Sequence, residues 1–321
     1  MSEHNITIES GKSLKLKTAG KYCDRDIVVT ASGSSGGEEK SSFAKFVERS
    51  ITEITADDLK GCSYVADYGF YNLCSNSKDD KIKKLTLPNS VKTLGIYGFA
   101  YAGVEEIILN EGITDIGANC FMSCKSPIIE IPTTVTSMGD YTFQYYEGQV
   151  KWREGSQLTV IGEDVFSGSR MTSIELPNSI IEIGSDAFYN ASFSNIKLSS
   201  NLQTIGYRAF YMGKFLNIEL PDSLISIHGR AFADCTLLEN IIIPQNVQKM
   251  NEGQSQGYTF DGCTALTTVT ILPKTPPKTG WSIFNNCTAL TKIIVPKGSL
   301  DAYKSATNWS YYADYMEEAT E

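Results

Sequence analysis

A period of about 22 residues governs this chain, and a fixed repeat constrains a fold more tightly than any local propensity. Phenylalanine recurs at Phe70, Phe99, Phe121, Phe143, Phe166, Phe188, Phe210, Phe232, Phe260 and Phe284. The steps are 22 to 24 residues, apart from 29 at the first and 28 at the last but one. A second register runs through apolar pairs with period two, among them Leu85/Leu87, Ile107/Leu109, Ile129/Ile131, Val150/Trp152, Ile174/Leu176, Ile218/Leu220, Ile241/Ile243 and Ile293/Val295. Period two marks a short strand with one buried face. A third register follows, as in Val91/Leu94, Ile113/Ile116 and Ile180/Ile183, and Gly comes next at 95, 117, 139, 162, 184 and 206. One unit therefore reads as a strand, a second apolar pair, a Gly turn and an aromatic plug. Such a unit buries too little surface to offset its own ordering entropy, whereas stacked units share one core. The expected fold is a mainly β repeat solenoid.

The motif Ile174-Glu-Leu-Pro-Asn-Ser-Ile-Ile-Glu-Ile-Gly-Ser-Asp-Ala-Phe188, with Leu85-Thr-Leu-Pro-Asn-Ser-Val91 beside it, resembles the BspA-like leucine-rich repeats of bacterial surface proteins. The resemblance covers roughly residues 51–296. Residues 297–321, with Ser299 before a helical pattern and Asn308-Trp309-Ser310 after it, resemble the family's closing segment. They are expected to cap the last turn, with the Ser299 hydroxyl accepting from the first helical N–H groups. The long steps imply insertions near Ser75 to Lys81 and Asn251 to Gln256 that loop out.

Residues 1–31 differ in kind. Asn5-Ile-Thr-Ile8, Leu14-Lys-Leu16 and Asp26-Ile-Val-Val-Thr30 alternate like strands, and a segment this short cannot bury a core. It is expected to be an attachment element that pairs with another copy or another protein. Thr18-Ala-Gly-Lys-Tyr-Cys-Asp-Arg-Asp-Ile-Val-Val-Thr30 resembles an N-terminal segment of tail and other structural proteins of phages and prophages of Firmicutes. Residues 32–50 read as a Gly/Ser linker and an N-terminal cap.

The net charge of −9 and the absence of basic clusters argue against nucleic acid, whose affinity comes largely from Lys and Arg. No apolar run exceeds four residues, so no spanning helix is expected, and no secretion signal is visible at the N-terminus. The residues between the paired strand positions, Glu130, Lys151, Glu175, Lys197 and Glu219, read as a Glu/Lys ladder rather than a carboxylate pair for glycoside hydrolysis. Cys124, Cys235, Cys263 and Cys287 fall three residues after the plug, where other repeats carry Ala102, Tyr146, Ser169, Ala191 or Gly213. That is a packing slot rather than a metal site. His228 stands where other repeats have Gly, as a substituted turn. No cofactor, metal or catalytic set is expected.

The candidate binding residues are tyrosines around the plug turns: Tyr68, Tyr97, Tyr101, Tyr141, Tyr145, Tyr146, Tyr189, Tyr207, Tyr211 and Tyr258, with Tyr71 beside them. Aromatic rings give large contact area for little entropy. The function expected is non-enzymatic adhesion to a surface protein or glycan, as a phage or prophage tail-associated receptor-binding protein of the virion. The alternative is a BspA-like bacterial cell-surface adhesin.

Overall fold

The computed structural model describes the backbone of residues 6–8, 17–21 and 26–31, and then residues 52–74, 82–252 and 257–320. The linker and N-terminal cap expected at 32–50, the insertion at 75–81 and residues 253–256 of the second insertion lie outside them. The chain divides between Leu158 and Thr159 into two compact units, each taken on its own below.

Both units are stacks of parallel strands, with about ten turns in all. In the first unit, Glu53–Ile54, Lys84–Thr86 and Glu106–Ile108 form one parallel sheet, and Ile128–Ile131 pairs with Gln149–Trp152. The second apolar pairs make a separate four-stranded sheet: Tyr64–Val65, Thr93–Leu94, Asp115–Ile116 and Ser137–Met138. In the second unit the corresponding sheet has six strands, from Val160–Ile161 to Lys278–Thr279. Its first-strand elements are the pair Ser173–Glu175 and Asn195–Lys197, and a four-stranded sheet of Asn240–Ile243, Thr268–Ile271, Lys292–Val295 and Met316–Glu318. Ile218 is buried as its period predicts, but Ile218 and Leu220 belong to no strand, so these two sheets are separate.

The plugs form the core. Phe70, Phe99, Phe121 and Phe143 stack at centroid distances of 5.0, 5.3 and 5.2 Å. In the second unit the column from Phe166 to Phe284 keeps 5.2 to 5.6 Å. Its rings are nearly parallel because successive turns repeat the same backbone.

Gly after the second strand has a reason other than turn conformation. A Cβ on Gly117 would lie 2.8 Å from the backbone of Gly95 and Ile96, and one on Gly206 would lie 2.6 Å from Gly184. The backbones of neighbouring turns touch here. His228 breaks this column, and the strand accommodates it by a register shift: Ser226 faces Lys249, but His228 faces Glu252. His228 is thus a strand residue at a bulge, which supplies the room that Gly supplies elsewhere.

The N-terminal strands form a sheet of their own. Ile6–Ile8 runs parallel to Asp26–Ala31, and Lys17–Lys21 runs antiparallel to it. The second strand lies later than expected at Leu14 to Leu16, because an antiparallel return places Lys21 opposite Asp26.

The C-terminal cap contains more than a helix. Leu300–Ser305 is helical, but the Ser299 side chain makes no cap bond. The Glu318 carboxylate accepts from the Gly298 and Leu300 N–H groups instead, at 3.0 and 3.4 Å. It does so because Met316–Glu318 returns as a strand beside Lys292–Val295. Tyr303 and Trp309 are buried and donate to the carbonyls of Pro273 and Pro277, at 2.7 and 2.9 Å.

Candidate functional site

Each plug sits between two residues in left-handed backbone conformation. Two positions before it these are Tyr68, Tyr97, Asn119, Tyr141, Asp164, Asp186, Arg208, Arg230, Tyr258 and Ser282, with φ between 53° and 61°. Two positions after it they include Asn72, Tyr101, Ser123, Tyr145, Asn190 and Met212. The alternation aims every second N–H along the stack: Tyr68, Phe70 and Asn72 donate to the carbonyls of Ile96, Gly98 and Ala100 at 2.7 to 2.9 Å. The buried turn thus satisfies its backbone. A non-Gly residue pays about 1–2 kcal/mol for this conformation, which Gly adopts freely.

In the first unit this arrangement gathers Tyr68, Tyr71, Tyr97 and Tyr101. Tyr68 and Tyr97 stack at 5.0 Å and 10°, and Tyr71 stands edge-to-face against Tyr68, Tyr97 and Tyr101 at 5.5 to 6.3 Å. Tyr68 is 53% exposed and Tyr71 36%, while Tyr97 and Tyr101 are half-buried. Tyr141 is half-buried and Tyr145 exposed.

Tyr146 is not a surface residue. It is fully buried, its hydroxyl donates to the Ser126 carbonyl at 2.6 Å, and its ring fills the slot that Cys124 occupies one turn earlier. The slot has a further solution. Where it holds Ala191 or Gly213, Phe193 or Phe215 folds back to fill it, edge-on to Phe188 or Phe210. The cysteines there also donate to backbone: Cys235, Cys263 and Cys287 reach the carbonyls of Phe210, Phe232 and Phe260 at 3.0 to 3.1 Å. Burial pushes the Cys124 thiol up to about 12. Cys62, by contrast, is disulfide-bonded.

The second unit builds a different surface at the same positions. Arg208, not Tyr207, holds the left-handed place before Phe210. Its guanidinium lies 4.7 and 4.9 Å from the stacked rings of Tyr189 and Tyr211, and 5.8 Å from Tyr207. Its Nε pairs with Asp186 at 3.3 Å. Burial pushes the Asp186 carboxyl up to about 6 against the pull of Arg208. A hydrogen bond to Asp234, with burial behind it, raises Tyr211 to about 12. Arg230 lies 5.1 Å from the Tyr258 ring. The tyrosine pattern alone missed the two arginines, although they stand two residues before their plugs, as Tyr68 and Tyr97 do in the first unit.

The strand faces carry paired charges. Lys197 pairs with Glu175, Lys84 with Glu106 at 3.1 Å and Lys292 with Glu317 at 2.9 Å. Glu130 faces Lys151 in register, and Arg153 approaches it at 3.8 Å. Glu219 lies outside any strand. Among the described residues no group of three or more His, Cys, Asp or Glu is placed to hold a metal, and no helix is long and apolar enough to cross a membrane.

The chain is similar in fold to a leucine-rich repeat protein from Bacteroides ovatus, at 19% identity over 99% of this chain and 92% of that one, with a TM-score of 0.53. Weaker likenesses are the pneumococcal vaccine antigen PcpA, at 19% identity over 66% and 68% of the two chains with a TM-score of 0.39, and a leucine-rich cell surface protein from Faecalibacterium prausnitzii, at 18% over 96% and 91% with a TM-score of 0.40. No curated protein matches the sequence. Residues 64–169, 159–257 and 254–311 match the model of the BspA type leucine-rich repeat region, in six copies. With most of its length matched, and with the plugs and stacked strands that the repeat encodes, the chain belongs to the BspA-type leucine-rich repeat family.

Proposed function

We propose that this protein is a non-enzymatic, adhesin-like surface recognition protein that makes contact through its plug turns. Stacked repeats present an extended rigid face, which suits them to binding. The observation that carries the reading is the tyrosine cluster of the first unit: four packed rings gathered at the surface, with Tyr68 and Tyr71 exposed. The strand faces are weaker candidates, because their charges already neutralise one another. The family match lies on the repeats and supports a surface adhesin over a tail-associated protein, whose sequence resemblance is confined to residues 18–30.

The test is binding of the fluorescently labelled protein to bacterial and epithelial cells. Replacing Tyr71 with Ala is expected to reduce cell binding sharply while leaving the circular dichroism spectrum unchanged. Undiminished binding by that variant, together with loss on reversing Glu175 and Lys197, would move the site to the strand face.

A further inference from the structure

We infer that the ligand of the tyrosine cluster at Tyr68, Tyr71, Tyr97 and Tyr101 is a neutral, hydroxyl-rich polysaccharide, which the cluster meets with ring edges and phenol hydroxyls rather than ring faces. The inference rests on the plug turns being the recognition surface, and it adds the chemistry of what they recognise.

The rings cover one another in part, with Tyr68 and Tyr71 still exposed. Tyr68 and Tyr97 lie face to face at 5.0 Å, and Tyr71 closes on three neighbours at once. A cation is drawn to ring faces, and the faces that Tyr68 and Tyr97 turn to each other are closed to it, while the edges that Tyr71 turns to its neighbours carry the positive end of the quadrupole. An anion needs a positive charge. Residues 66–74 and 95–103, which form these two turns, contain no Lys or Arg. Their one charged residue, Asp67, already accepts from the Ile96 N–H at 2.8 Å.

Peptide modes fit no better. Strand addition needs free backbone groups, yet the N–H groups of Tyr68, Phe70 and Asn72 are all bonded to the next turn. A proline-rich peptide docks in grooves between aromatic rings, and the Tyr68–Tyr97 stack leaves none between them.

What the cluster offers is hydroxyl chemistry. Among the described residues the Tyr68, Tyr71 and Tyr97 hydroxyls have no hydrogen-bond partner, and Tyr101 touches only the Met122 sulfur, at 3.9 Å. A phenol both donates and accepts, as a sugar hydroxyl does. The rings of the two left-handed tyrosines lie one turn apart, with centroids separated by 5.0 Å. An equatorially linked hexopyranose chain advances by a similar distance per sugar, whereas an extended peptide advances about 3.3 Å per residue and falls out of step.

The experiment is calorimetric titration of the full chain with a soluble mixed-linkage β-glucan and a galactomannan, with polygalacturonate, poly-L-lysine and polyproline as comparisons and the cell-binding assay in parallel. The neutral glycans are expected to bind through the cluster, whereas any binding of the other three polymers, including charge attraction of poly-L-lysine to a chain of net charge −9, should be unchanged by cluster substitutions. The variant Tyr68→Phe/Tyr71→Phe/Tyr97→Phe keeps every ring and removes three hydroxyls, so it preserves the packing and should bind neutral glycan about tenfold more weakly or worse. Neutral glycan affinity unchanged in this variant and in Tyr71→Ala overturns the site. Failure of both neutral glycans, with cell binding still dependent on Tyr71, overturns the ligand class and leaves the plug turns as the recognition surface. Failure of the glycans with cell binding independent of Tyr71 overturns both.

Discussion

Arg153 reaches back to Glu111, 42 residues earlier, and joins three turns of the first unit through one guanidinium. Its Nη1 donates to the Glu111 carboxylate, its Nη2 donates to the Leu109 carbonyl at 3.1 Å, and its Nε approaches Glu130 at 3.8 Å. The other Glu111 oxygen accepts from the N–H and hydroxyl of Thr133, at 3.0 and 2.8 Å.

The Arg153 hydrogen bond, opposed by burial and helped by the two hydrogen bonds from Thr133, holds the Glu111 carboxyl below its ordinary range. A lowered carboxyl stabilises the fold above its unfolded pKa of about 4.3, and that stability is lost as pH falls through the folded value. Both side chains are partly exposed, so the pair contributes about 0.2 to 1 kcal/mol. Urea titrations at pH 7 and pH 3 should show a smaller loss on acidification for Glu111→Gln than for the natural chain. An equal loss in both would deny the pair any role.

Gly117→Ala is expected to be far more damaging than a typical surface change. Its Cβ would meet backbone on the preceding turn, which cannot swing aside as a side chain can. Overpacking of this kind costs about 1–3 kcal/mol, occasionally more, and this site belongs at the upper end. Chemical denaturation would measure it, and a loss below half a kcal/mol would show that the turns can separate.

Tyr145 and Tyr146 are neighbours with opposite expected effects. Tyr145 is 53% exposed at a φ of 54°, so Tyr145→Asn should leave stability unchanged or raise it by up to about 1 kcal/mol through relief of strain. Tyr146 is a fully buried ring with a hydrogen-bonded hydroxyl, and Tyr146→Ala should cost about 3–5 kcal/mol. Melting curves of the two variants settle the contrast, and destabilisation by Tyr145→Asn would mark that ring as packing.

The slot cysteines should resist thiol reagents in the folded protein. Cys124, Cys235 and Cys263 are buried, and Cys235 and Cys263 donate to backbone carbonyls. Maleimide labelling followed by peptide mapping should find them unmodified until denaturant is added. Cys235→Ala should cost roughly 1 kcal/mol, as a small cavity does. Rapid native labelling of Cys235 would mean that this turn opens.

The repeat was legible because identical solutions recur: the plug spacing and the paired apolar residues name the strands and the core directly. What resists such reading is contact between turns. Gly117 and Gly139 look like turn glycines in the sequence, yet their role is to let two backbones touch. Tyr146 looks like its neighbour Tyr145, and only its place three residues after Phe143, shared with Cys124, marks it as interior. Arg208 and Arg230 escape a pattern drawn from residue type, because the surface is set by register. The Arg153–Glu111 bond has no sequence signature, since long side chains choose partners by distance.

The returning strand Met316–Glu318 has a consequence for growth. All the turns share one spacing, so an uncovered edge at Lys292–Val295 would be a template for the matching edge of another molecule, and such head-to-tail contacts do not close. They propagate into filaments. By pairing with that strand, Met316–Glu318 puts a three-residue edge carrying exposed Glu317 and Glu318 at this end of the sheet, and a short, charged edge is a poor template for another molecule.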